Sequence, residues 1–261
     1  MPNILIVETR PDFSFVHTIR SHGWSDLLPF ELDEENQRLS YVFTDGISLK
    51  PVSAVISGDG GKLKIETSGG DIDNGKLLRD VRHILRLDDN MDEFYGVIRN
   101  DTSLDWVSTS NAGRLLRSPN VFEDLVKTLC TTNCSWGATK KMVANLVDKL
   151  GEPASDGKRA FPTPEALAKM PVEFFRDEIR AGYRSAYFAE MAGSIASGDL
   201  EPEAWLHSEM PSVELRKEIK RIKGFGDYAA DNLLKLLGRY DGLALDSWLR
   251  AGFYKKHNKE K

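Results

Sequence analysis

The sequence predicts an α+β fold, in which a mixed N-terminal part precedes a part built almost wholly of helices. Strand-like segments are confined to residues 1–97. From Asp101 onward, apolar residues recur three and four positions apart, as on the buried face of a helix. The charge changes at the same place, because residues 1–97 are markedly acidic and residues 98–261 are slightly basic. We therefore expect two domains with this boundary, of which the second meets any polyanion.

The elements of the N-terminal domain follow from local composition. Residues 3–7 suit a short strand, and Asp12 is placed to cap a helix that runs to His22 and ends at Gly23. Three further segments have strand composition: residues 38–44, 50–57 and 62–67. The sequence GDGG between the last two predicts a turn, and residues 76–87 predict a helix with one apolar side.

Helix starts are marked throughout the second domain. Ser118 before Pro119 predicts an N-cap with proline in the first turn, and Thr163 before Pro164 predicts another. Apolar stripes predict helices over residues 122–129, 143–150, 183–197, 212–222 and 230–237. We expect these stripes to form the core rather than a functional surface.

The composition is that of a soluble globular protein, with 261 residues, 41% hydrophobic and 29% charged, and a net charge of −5. No apolar run approaches the roughly 20 residues of a membrane span, and the N-terminus lacks the pattern of a signal segment. Cys130 and Cys134 have no neighbouring histidine and make neither a zinc site nor an iron–sulfur cluster. We expect two buried, reduced thiols in the cytoplasm and nucleoid, or in a nucleus.

Two glycines, Gly224 and Gly226, punctuate a short turn between two predicted helices. Glycine tolerates positive φ and carries no side chain, so a phosphate can approach the backbone of the turn. Free N–H groups at the start of the next helix would face that phosphate, and Asp227 would cap this helix. Basic residues cluster before the turn: Lys217, Lys220, Arg221 and Lys223. The alternative is an ordinary helical corner with a solvated basic face.

Asp246 follows the apolar run 243–245 and precedes another predicted helix. The helix dipole favours a negative charge at that position by about 0.3–1 kcal/mol when the site is exposed. Such a carboxylate suits the stabilisation of a cationic sugar or the orientation of an attacking water. A plain N-cap aspartate is the alternative.

Together, the glycine turn and Asp246 in the run GFGDYAADNLL…LALDSWLR resemble the helix-hairpin-helix (HhH-GPD) DNA glycosylase superfamily. Segments upstream are similar too, so the resemblance covers about residues 118–256; these segments are 122–151, FPTPEALA at 161–168 and AGYRSAYFAE at 181–190. The resemblance implies a DNA repair enzyme that binds double-stranded DNA with a damaged base. It assigns catalysis to Asp246 and binding of the DNA backbone to four hairpin residues: Lys223, Gly224, Phe225 and Gly226.

The resemblance implies further roles around the damaged base. Asn133 matches the residue that fills the gap left by the flipped nucleotide. Tyr183 and Arg184 match residues that wedge the duplex and contact the orphaned base, for which a planar ring and a fork of donors are suited. Tyr228 and Trp248 fall near the expected base pocket. Family hairpins also hold Na⁺ or K⁺ through backbone carbonyls, here those of Lys220, Ile222 and Phe225. Ordinary packing or turn roles are the alternative for each side chain.

The chain departs from parts of the family pattern. Members that also cut the strand carry a nucleophilic lysine at the second position after the hairpin glycines, where this chain has Tyr228, and Lys223 lies on the other side of the turn. The four-cysteine cluster of the endonuclease III branch is missing. This favours the branch of 3-methyladenine and 8-oxoguanine glycosylases, which carry an N-terminal antiparallel sheet. Since related glycosylases continue for several helices beyond the aspartate, we expect C-terminal helices to be missing and the cleft to be incomplete.

These features favour a monofunctional DNA N-glycosylase of base-excision repair, similar to 3-methyladenine DNA glycosylase II. It would flip out a damaged purine and hydrolyse its N-glycosidic bond, acting as a monomer with no required cofactor and no membrane partner. Alkylated purines and 8-oxoguanine both remain open as lesions. Three alternatives stay open: a non-catalytic DNA-binding protein, a bifunctional glycosylase and lyase, and a hairpin used only for protein contacts.

Overall fold

A five-stranded antiparallel sheet forms the N-terminal part of the computed structural model, which describes residues 3–44, 50–68 and 72–257. Its strands are β1 (Ile4–Glu8), β2 (Glu31–Asp33), β3 (Arg38–Thr44), β4 (Pro51–Asp59) and β5 (Lys62–Thr67). They lie in the order β1-β5-β4-β3-β2, and every neighbouring pair is antiparallel. The sheet implied by the family resemblance is therefore confirmed.

The strand bounds predicted from composition match β3 and β5, and those of β1 and β4 differ by one or two residues. The sequence does not predict β2, which is only 3 residues long and carries exposed acidic side chains at both ends. Pairing with β3 holds it in place, with Glu31 opposite Ser40 and Asp33 opposite Arg38. A strand this short takes its conformation from its neighbour rather than from its own pattern.

The first helix, α1 (Phe15–Ile19), is capped by Ser14 and not by Asp12 as predicted. Ser14 has extended backbone angles, and its side chain accepts a hydrogen bond from the backbone N–H of His17. Asp12 instead accepts a hydrogen bond from Nη2 of the buried Arg114 at 2.9 Å. The neighbouring Arg10 also donates to this carboxylate, at 2.8 Å. Two cations thus hold Asp12 away from the helix start, and the contact with Arg114 is one that local sequence cannot reveal.

Helices dominate the rest of the described chain. They are α2 (Asn74–Leu85), α3 (Asp92–Ile98), α4 (Asp105–Thr109), α5 (Val121–Thr131), α6 (Trp136–Leu150), α7 (Pro164–Ala168), α8 (Val172–Asp177), α9 (Ser185–Ser197), α10 (Ser212–Ile219), α11 (Asp227–Leu236) and α12 (Ser247–Lys256). Thr163 caps α7 as predicted. Ser118 does not cap α5; Asn120 does, because its side chain accepts the N–H of Glu123 at 2.8 Å. The N–H of Ser118 binds Asp124 at 3.0 Å instead.

The sheet and the helices share one hydrophobic core, and α5 crosses it carrying buried charges. The phenol of Tyr41 on β3 donates a 2.5 Å hydrogen bond to Glu123, which also pairs with Lys127 at 2.7 Å. The indole of Trp24 donates a 2.7 Å hydrogen bond to Asp124. Because buried charges are tolerated only when they are paired or hydrogen-bonded, these contacts hold the N-terminal part against α5. The predicted boundary at residue 97 stays a prediction.

Arginines from the N-terminal half also position α11. The guanidinium of Arg86 donates to the carbonyls of Lys235 at 2.7 Å and Leu236 at 2.5 Å, and Arg117 donates to Leu236 at 3.1 Å. The last carbonyls of a helix have no hydrogen-bond donor within the helix. The side chains of Arg86 and Arg117 donate to two of these carbonyls. The C-terminal end of α11 is therefore fixed by residues more than a hundred positions earlier.

The two cysteines differ in exposure. Cys130 is buried, as predicted, but Cys134 is exposed, because α5 ends at Thr131 and leaves it in the loop before α6. Among the described residues, no helix is long and apolar enough to span a bilayer.

Candidate active site

The hairpin predicted from the two glycines joins α10 to α11. Gly224 has φ +93°, and a Cβ built there would lie 2.6 Å from Cδ1 of Leu129 and 2.9 Å from Cδ2 of Tyr187. Positive φ and close packing therefore both require glycine at this position. Gly226 has φ −84° and serves as the N-cap of α11, and nothing lies within 4 Å of a Cβ built on it. The predicted positive φ holds for Gly224 alone, whereas Gly226 leaves open space above the first N–H groups of α11.

Acidic neighbours partly neutralise the basic cluster at the hairpin. Lys223 pairs with Glu190 at 2.7 Å, and Lys220 pairs with Asp227 at 2.6 Å. Asp227 is not the N-cap, as predicted, but the first residue of α11, and Arg216 also contacts it at 3.0 Å. The pKa of Asp227 is lowered, first by its hydrogen bond to Lys220 and then by the nearby positive charges. Phosphate binding at this hairpin must compete with these ion pairs.

The backbone carbonyls predicted to hold a monovalent cation lie in the same turn. Lys220 is the C-cap of α10, and the carbonyl of Ile222 accepts the N–H of Phe225 at 3.1 Å. The side chain of Phe225 is buried, which anchors the turn in the core. A carbonyl with one hydrogen bond keeps a second lone pair for an ion, and the cation site stays a prediction.

Three of the predicted site residues line one cavity of about 1110 Å³: Asn133, Tyr228 and Asp246. The other residues that line it are His22, Gly23, Trp24, Leu115, Thr131, Cys134, Trp136, Thr139, Asn232, Lys235, Leu236 and Leu245. The cavity thus extends from the loop after α5 to the N-terminal segment before β2. Its volume reaches the upper end of the usual range for small-molecule sites, roughly 300–1,000 Å³.

Asp246 opens α12 as predicted. Its backbone is extended, with φ −80° and ψ 175°, and its Oδ1 accepts the N–H of Leu249 at 2.6 Å. Within the described part of the chain, Oδ2 has no hydrogen-bond partner. One oxygen is therefore held by the helix start, and the other is left for a ligand or water. The side chain of Trp248, the second predicted pocket aromatic, lies outside the described residues.

Tyr228 stands on the first turn of α11 and is half-buried. Burial raises the pKa of the phenol above its usual range, and the negative charge of Asp246 adds to this effect. A hydrogen bond between the phenol and Thr131 acts in the opposite direction. The phenol is therefore uncharged at neutral pH and lies close enough to Asp246 to sense its charge.

The residues predicted to hold the bent duplex open are brought together. Asn133 has φ +46°, and its side-chain amide donates to the phenolic oxygen of Tyr183 at 3.3 Å. Tyr183 is 53% exposed, which suits a residue that stacks on a base. Arg184 is 5% exposed, and its guanidinium lies 4.5 Å from the centre of the Tyr183 ring and 3.0 Å from the hydroxyl of Thr132. The structure thus places Asn133 and Tyr183 at the surface and Arg184 behind them.

Sequence reasoning missed four side chains of the cavity. Trp136, at the start of α6, packs on Gly23 so closely that a Cβ there would lie 2.4 Å from its ring. His22 donates a 2.6 Å hydrogen bond to the carbonyl of Leu116, and burial lowers its pKa to about 4. Asn232 and Lys235 lie one and two turns beyond Tyr228 on α11. The sequence could have indicated Asn232 and Lys235, because they follow Tyr228 at positions i+4 and i+7 and therefore share its helix face.

Comparisons with known proteins agree with this architecture. No protein-family model matches the chain. A curated protein of Bacillus subtilis (strain 168), provisionally named as the DNA-3-methyladenine glycosylase YfjP, is 23% identical over 172 residues. The match covers 65% of this chain and 58% of that protein, so the chain spans little more than half of the relative's length.

Solved structures share the fold over nearly the whole chain. The apo 8-oxoguanine glycosylase/lyase of Clostridium acetobutylicum superposes with a TM-score of 0.77 at 20% identity, covering 99% of this chain and 86% of that one. Its complex with double-stranded DNA containing cytosine opposite 8-oxoG gives 0.73 at 20% identity, with 98% and 85% coverage. The 3-methyladenine DNA glycosylase of Archaeoglobus fulgidus gives 0.77 at 19% identity, with 98% and 88% coverage. These likenesses confirm the predicted α+β fold.

Proposed function

We propose that this chain, which has the fold of the helix-hairpin-helix DNA glycosylases, is a DNA glycosylase of base-excision repair. In this proposal it removes a damaged purine by hydrolysis and leaves an abasic site. The observation that carries the proposal is the meeting of Asp246 and Tyr228 in one large cavity, beside a glycine hairpin suited to phosphate. A flipped nucleotide fits such a cavity, since enzymes that act on a base take it out of the stack into a pocket.

Asp246 is the proposed catalytic residue. When the glycosidic bond breaks, its electron pair leaves with the base, and positive charge develops on the sugar. A carboxylate fixed through Oδ1 by the N–H of Leu249 can hold Oδ2 toward that charge without reorganising. Water then adds to the cationic carbon and loses a proton, for which the same carboxylate is a suitable acceptor.

The DNA backbone would be held by the hairpin and the duplex would be opened by the loop after α5. Gly226 leaves the first N–H groups of α11 open to a phosphate, and Lys223 adds positive charge nearby. Asn133, which lines the cavity, and Tyr183, which is hydrogen-bonded to it, would occupy the space vacated by the flipped nucleotide. Flipping costs a few kcal/mol, and least for a damaged or mispaired base, so selection begins before chemistry.

Tyr228 supports hydrolysis rather than strand cleavage. A lyase step needs an amine that attacks the sugar and forms a Schiff base. The uncharged phenol of Tyr228 cannot do this, and Lys223 is paired with Glu190 of α9. In this respect the proposed enzyme resembles 3-methyladenine DNA glycosylase II.

A bifunctional glycosylase and lyase is the second candidate, because Lys235 lines the same cavity as Asp246. Lys235 lies 7 residues after Tyr228 on α11, which is about 10 Å along the helix axis. The amine would have to reach back along the cavity to attack the sugar. Trapping of a covalent DNA adduct with borohydride would support this candidate, and loss of the adduct in Lys235→Met would identify the amine.

The proposal is tested by incubating the protein with duplexes that each carry one defined lesion, followed by alkali to cleave abasic sites. Asp246→Asn keeps the capping geometry, because asparagine caps helices as well as aspartate does, and removes only the charge. We expect this variant to lose base release by roughly 100-fold or more. Asp73→Asn is the matched control, since Asp73 is likewise an N-cap, of α2, but does not line the cavity.

The outcomes separate the candidate functions. Equal base release by Asp246→Asn and wild type would sink the catalytic role of Asp246. Salt-sensitive DNA binding without base release from any lesion would instead identify a non-catalytic DNA-binding protein. Strand cleavage without alkali would identify the bifunctional candidate.

A further inference from the structure

We propose that Lys235 and Asn232 read the edge of the flipped base and select neutral purines that carry a carbonyl oxygen, over cationic alkylated purines. Oxidised and deaminated purines are the substrate class. This inference rests on the proposed function and names the lesion that the sequence left open. Two features of the cavity support it: polar groups lie along one face of α11, and the only described cation and carboxylate lie at different places in the lining.

One face of α11 supplies the floor of the cavity. Tyr228, Asn232 and Lys235 stand at positions i, i+4 and i+7 and all line it. The other buried residues of α11 are apolar; Ala229, Ala230, Leu233 and Leu234 do not line the cavity, and Leu236 adds an apolar contact to it. The three polar side chains therefore form a stripe about 10 Å long, which matches the long dimension of a purine nucleoside.

Asn232 offers a hydrogen-bond donor with no partner. Its side-chain nitrogen is inaccessible to solvent and makes no hydrogen bond within the described part of the chain. A buried polar group left unpaired costs roughly 1–3 kcal/mol, so such groups are rare and call for an explanation. Because the Asn232 side chain lines the cavity, a rotation of its amide would turn this donor toward a ligand acceptor there.

Lys235 offers the second donor and the positive charge. Its side chain is half-buried, and across residues 3–44, 50–68 and 72–257 no carboxylate lies within 4.0 Å of its ammonium group. This differs from the hairpin lysines, Lys220 and Lys223, which both have acidic partners. A lysine that faces a cavity without a counter-ion is suited to a ligand oxygen.

The charge distribution favours a neutral base. Of the described residues that line the cavity, Lys235 is the one cation and Asp246 is the one carboxylate. Asp246 opens α12 next to Tyr228, where the sugar is expected, whereas Lys235 lies two helical turns deeper. His22 beside Lys235 is uncharged at neutral pH, since burial lowers its pKa to about 4. At the Lys235 end of the cavity, away from Asp246, a base with a fixed positive charge would therefore meet an ammonium group, while a carbonyl oxygen would meet two donors.

The carbonyl contact does not by itself exclude undamaged guanine. Selection against normal pairs would come from the flipping step, which is least costly for a damaged or mispaired base. The two steps together would admit deaminated and oxidised purines and reject both stacked guanine and cationic adducts.

The test compares single-turnover base release from duplexes of three kinds. Hypoxanthine and 8-oxoguanine are neutral and carry carbonyls, 1,N6-ethenoadenine is neutral without a carbonyl, and 3-methyladenine is cationic without one. We expect wild type to release the carbonyl-bearing bases at least tenfold faster than the other two. Lys235→Met preserves the length of the side chain and should slow release of the carbonyl-bearing bases by roughly 10- to 100-fold while sparing ethenoadenine.

Lys169→Met is the control, because Lys169 is exposed and lies outside the cavity. Thermal unfolding of both variants verifies that they are folded. Faster release of 3-methyladenine than of hypoxanthine would overturn the substrate class and leave the glycosylase function standing. Unchanged release of carbonyl-bearing bases by Lys235→Met would overturn its role, as would a borohydride-trapped adduct that depends on Lys235. Release of no base from any duplex would contradict the proposed function itself.

Discussion

The side-chain amide of Asn133 donates a 3.3 Å hydrogen bond to the phenolic oxygen of Tyr183, which is 50 residues away along the chain. Asn133 lies in the loop between α5 and α6, and Tyr183 lies in the 3-10 turn before α9. The family resemblance suggested both positions separately, and the fold places them side by side at the cavity. The pair joins two loops into one exposed edge, to which the proposed function assigns the opening of the DNA duplex.

Replacement of Asn133 by glycine tests that edge. Asn133 has φ +46°, which glycine adopts freely, so Asn133→Gly removes the amide without straining the backbone. We expect base flipping to weaken by up to about tenfold, the value of one or two lost hydrogen bonds. The measurement is the fluorescence of 2-aminopurine placed beside the lesion. Asn111→Gly is the control, since Asn111 also has positive φ but lies outside the cavity.

An equal loss of flipping in both variants would attribute the effect to backbone flexibility. An unchanged signal in Asn133→Gly would contradict the proposed role of the amide in opening the duplex.

Replacing each of the two hairpin glycines by alanine should affect a different property, stability for Gly224 and DNA binding for Gly226. Gly224→Ala places a Cβ at φ +93° and 2.6 Å from Leu129, so we expect the free energy of unfolding to fall by about 1–3 kcal/mol. Gly226→Ala meets no atom within 4 Å and should leave stability almost unchanged. It covers the first N–H groups of α11, however, and should weaken DNA binding. Urea unfolding and fluorescence anisotropy on duplex DNA measure the two effects.

A Gly224→Ala variant as stable as wild type would contradict the role of Gly224 in turn geometry. A Gly226→Ala variant that binds DNA as wild type does would contradict the role of Gly226 in phosphate access.

Local signals predicted much of this fold and part of the candidate site. The strands β3 and β5, the hairpin and the helix start at Asp246 could be predicted because spacing and turn chemistry mark them in short windows. The cap of α1 could not, because Arg114, far along the chain, takes Asp12 from the helix start. The sequence marks α11 by its apolar stripe and does not single out Lys235, because only the folded cavity shows what the polar face of this helix meets.

Protonation of two partly buried histidines, His22 and His83, predicts loss of stability in acid. Burial lowers the folded-state pKa of His22 from 6.5 to about 4 and that of His83 to about 3. Below pH 6.5 the unfolded chain therefore binds more protons than the folded chain does. The free energy of unfolding consequently decreases as the pH falls from about 6.5 toward 4. We expect the melting temperature to fall over this window. His22→Gln should flatten the fall, whereas an identical pH profile would contradict the assignment.

Because Lys223 pairs with Glu190, we expect the hairpin to bind DNA less tightly than it would if this lysine were unpaired. Glu190→Gln releases Lys223 from its 2.7 Å partner, so we expect tighter DNA binding and a salt dependence steeper by about one phosphate contact. The matched control is Glu178→Gln, because Glu178 pairs with Lys149 at the same 2.7 Å away from the hairpin. Anisotropy titrations at several salt concentrations give both quantities. Equal tightening in the two variants would indicate a general effect of net charge and not of the hairpin.

For the buried pair of Lys127 and Glu123, we expect substitution of Lys127 alone to lower the free energy of unfolding more than substitution of both residues does. Both side chains are fully buried, and Glu123 also accepts the 2.5 Å hydrogen bond from Tyr41. Lys127→Met leaves an uncompensated carboxylate in the core, which should cost about 3–5 kcal/mol. Adding Glu123→Gln removes that charge and keeps an acceptor for Tyr41, so the double variant should recover part of the loss. Urea unfolding of wild type, both single variants and the double variant measures this coupling, and strictly additive losses would show that the charges do not depend on each other.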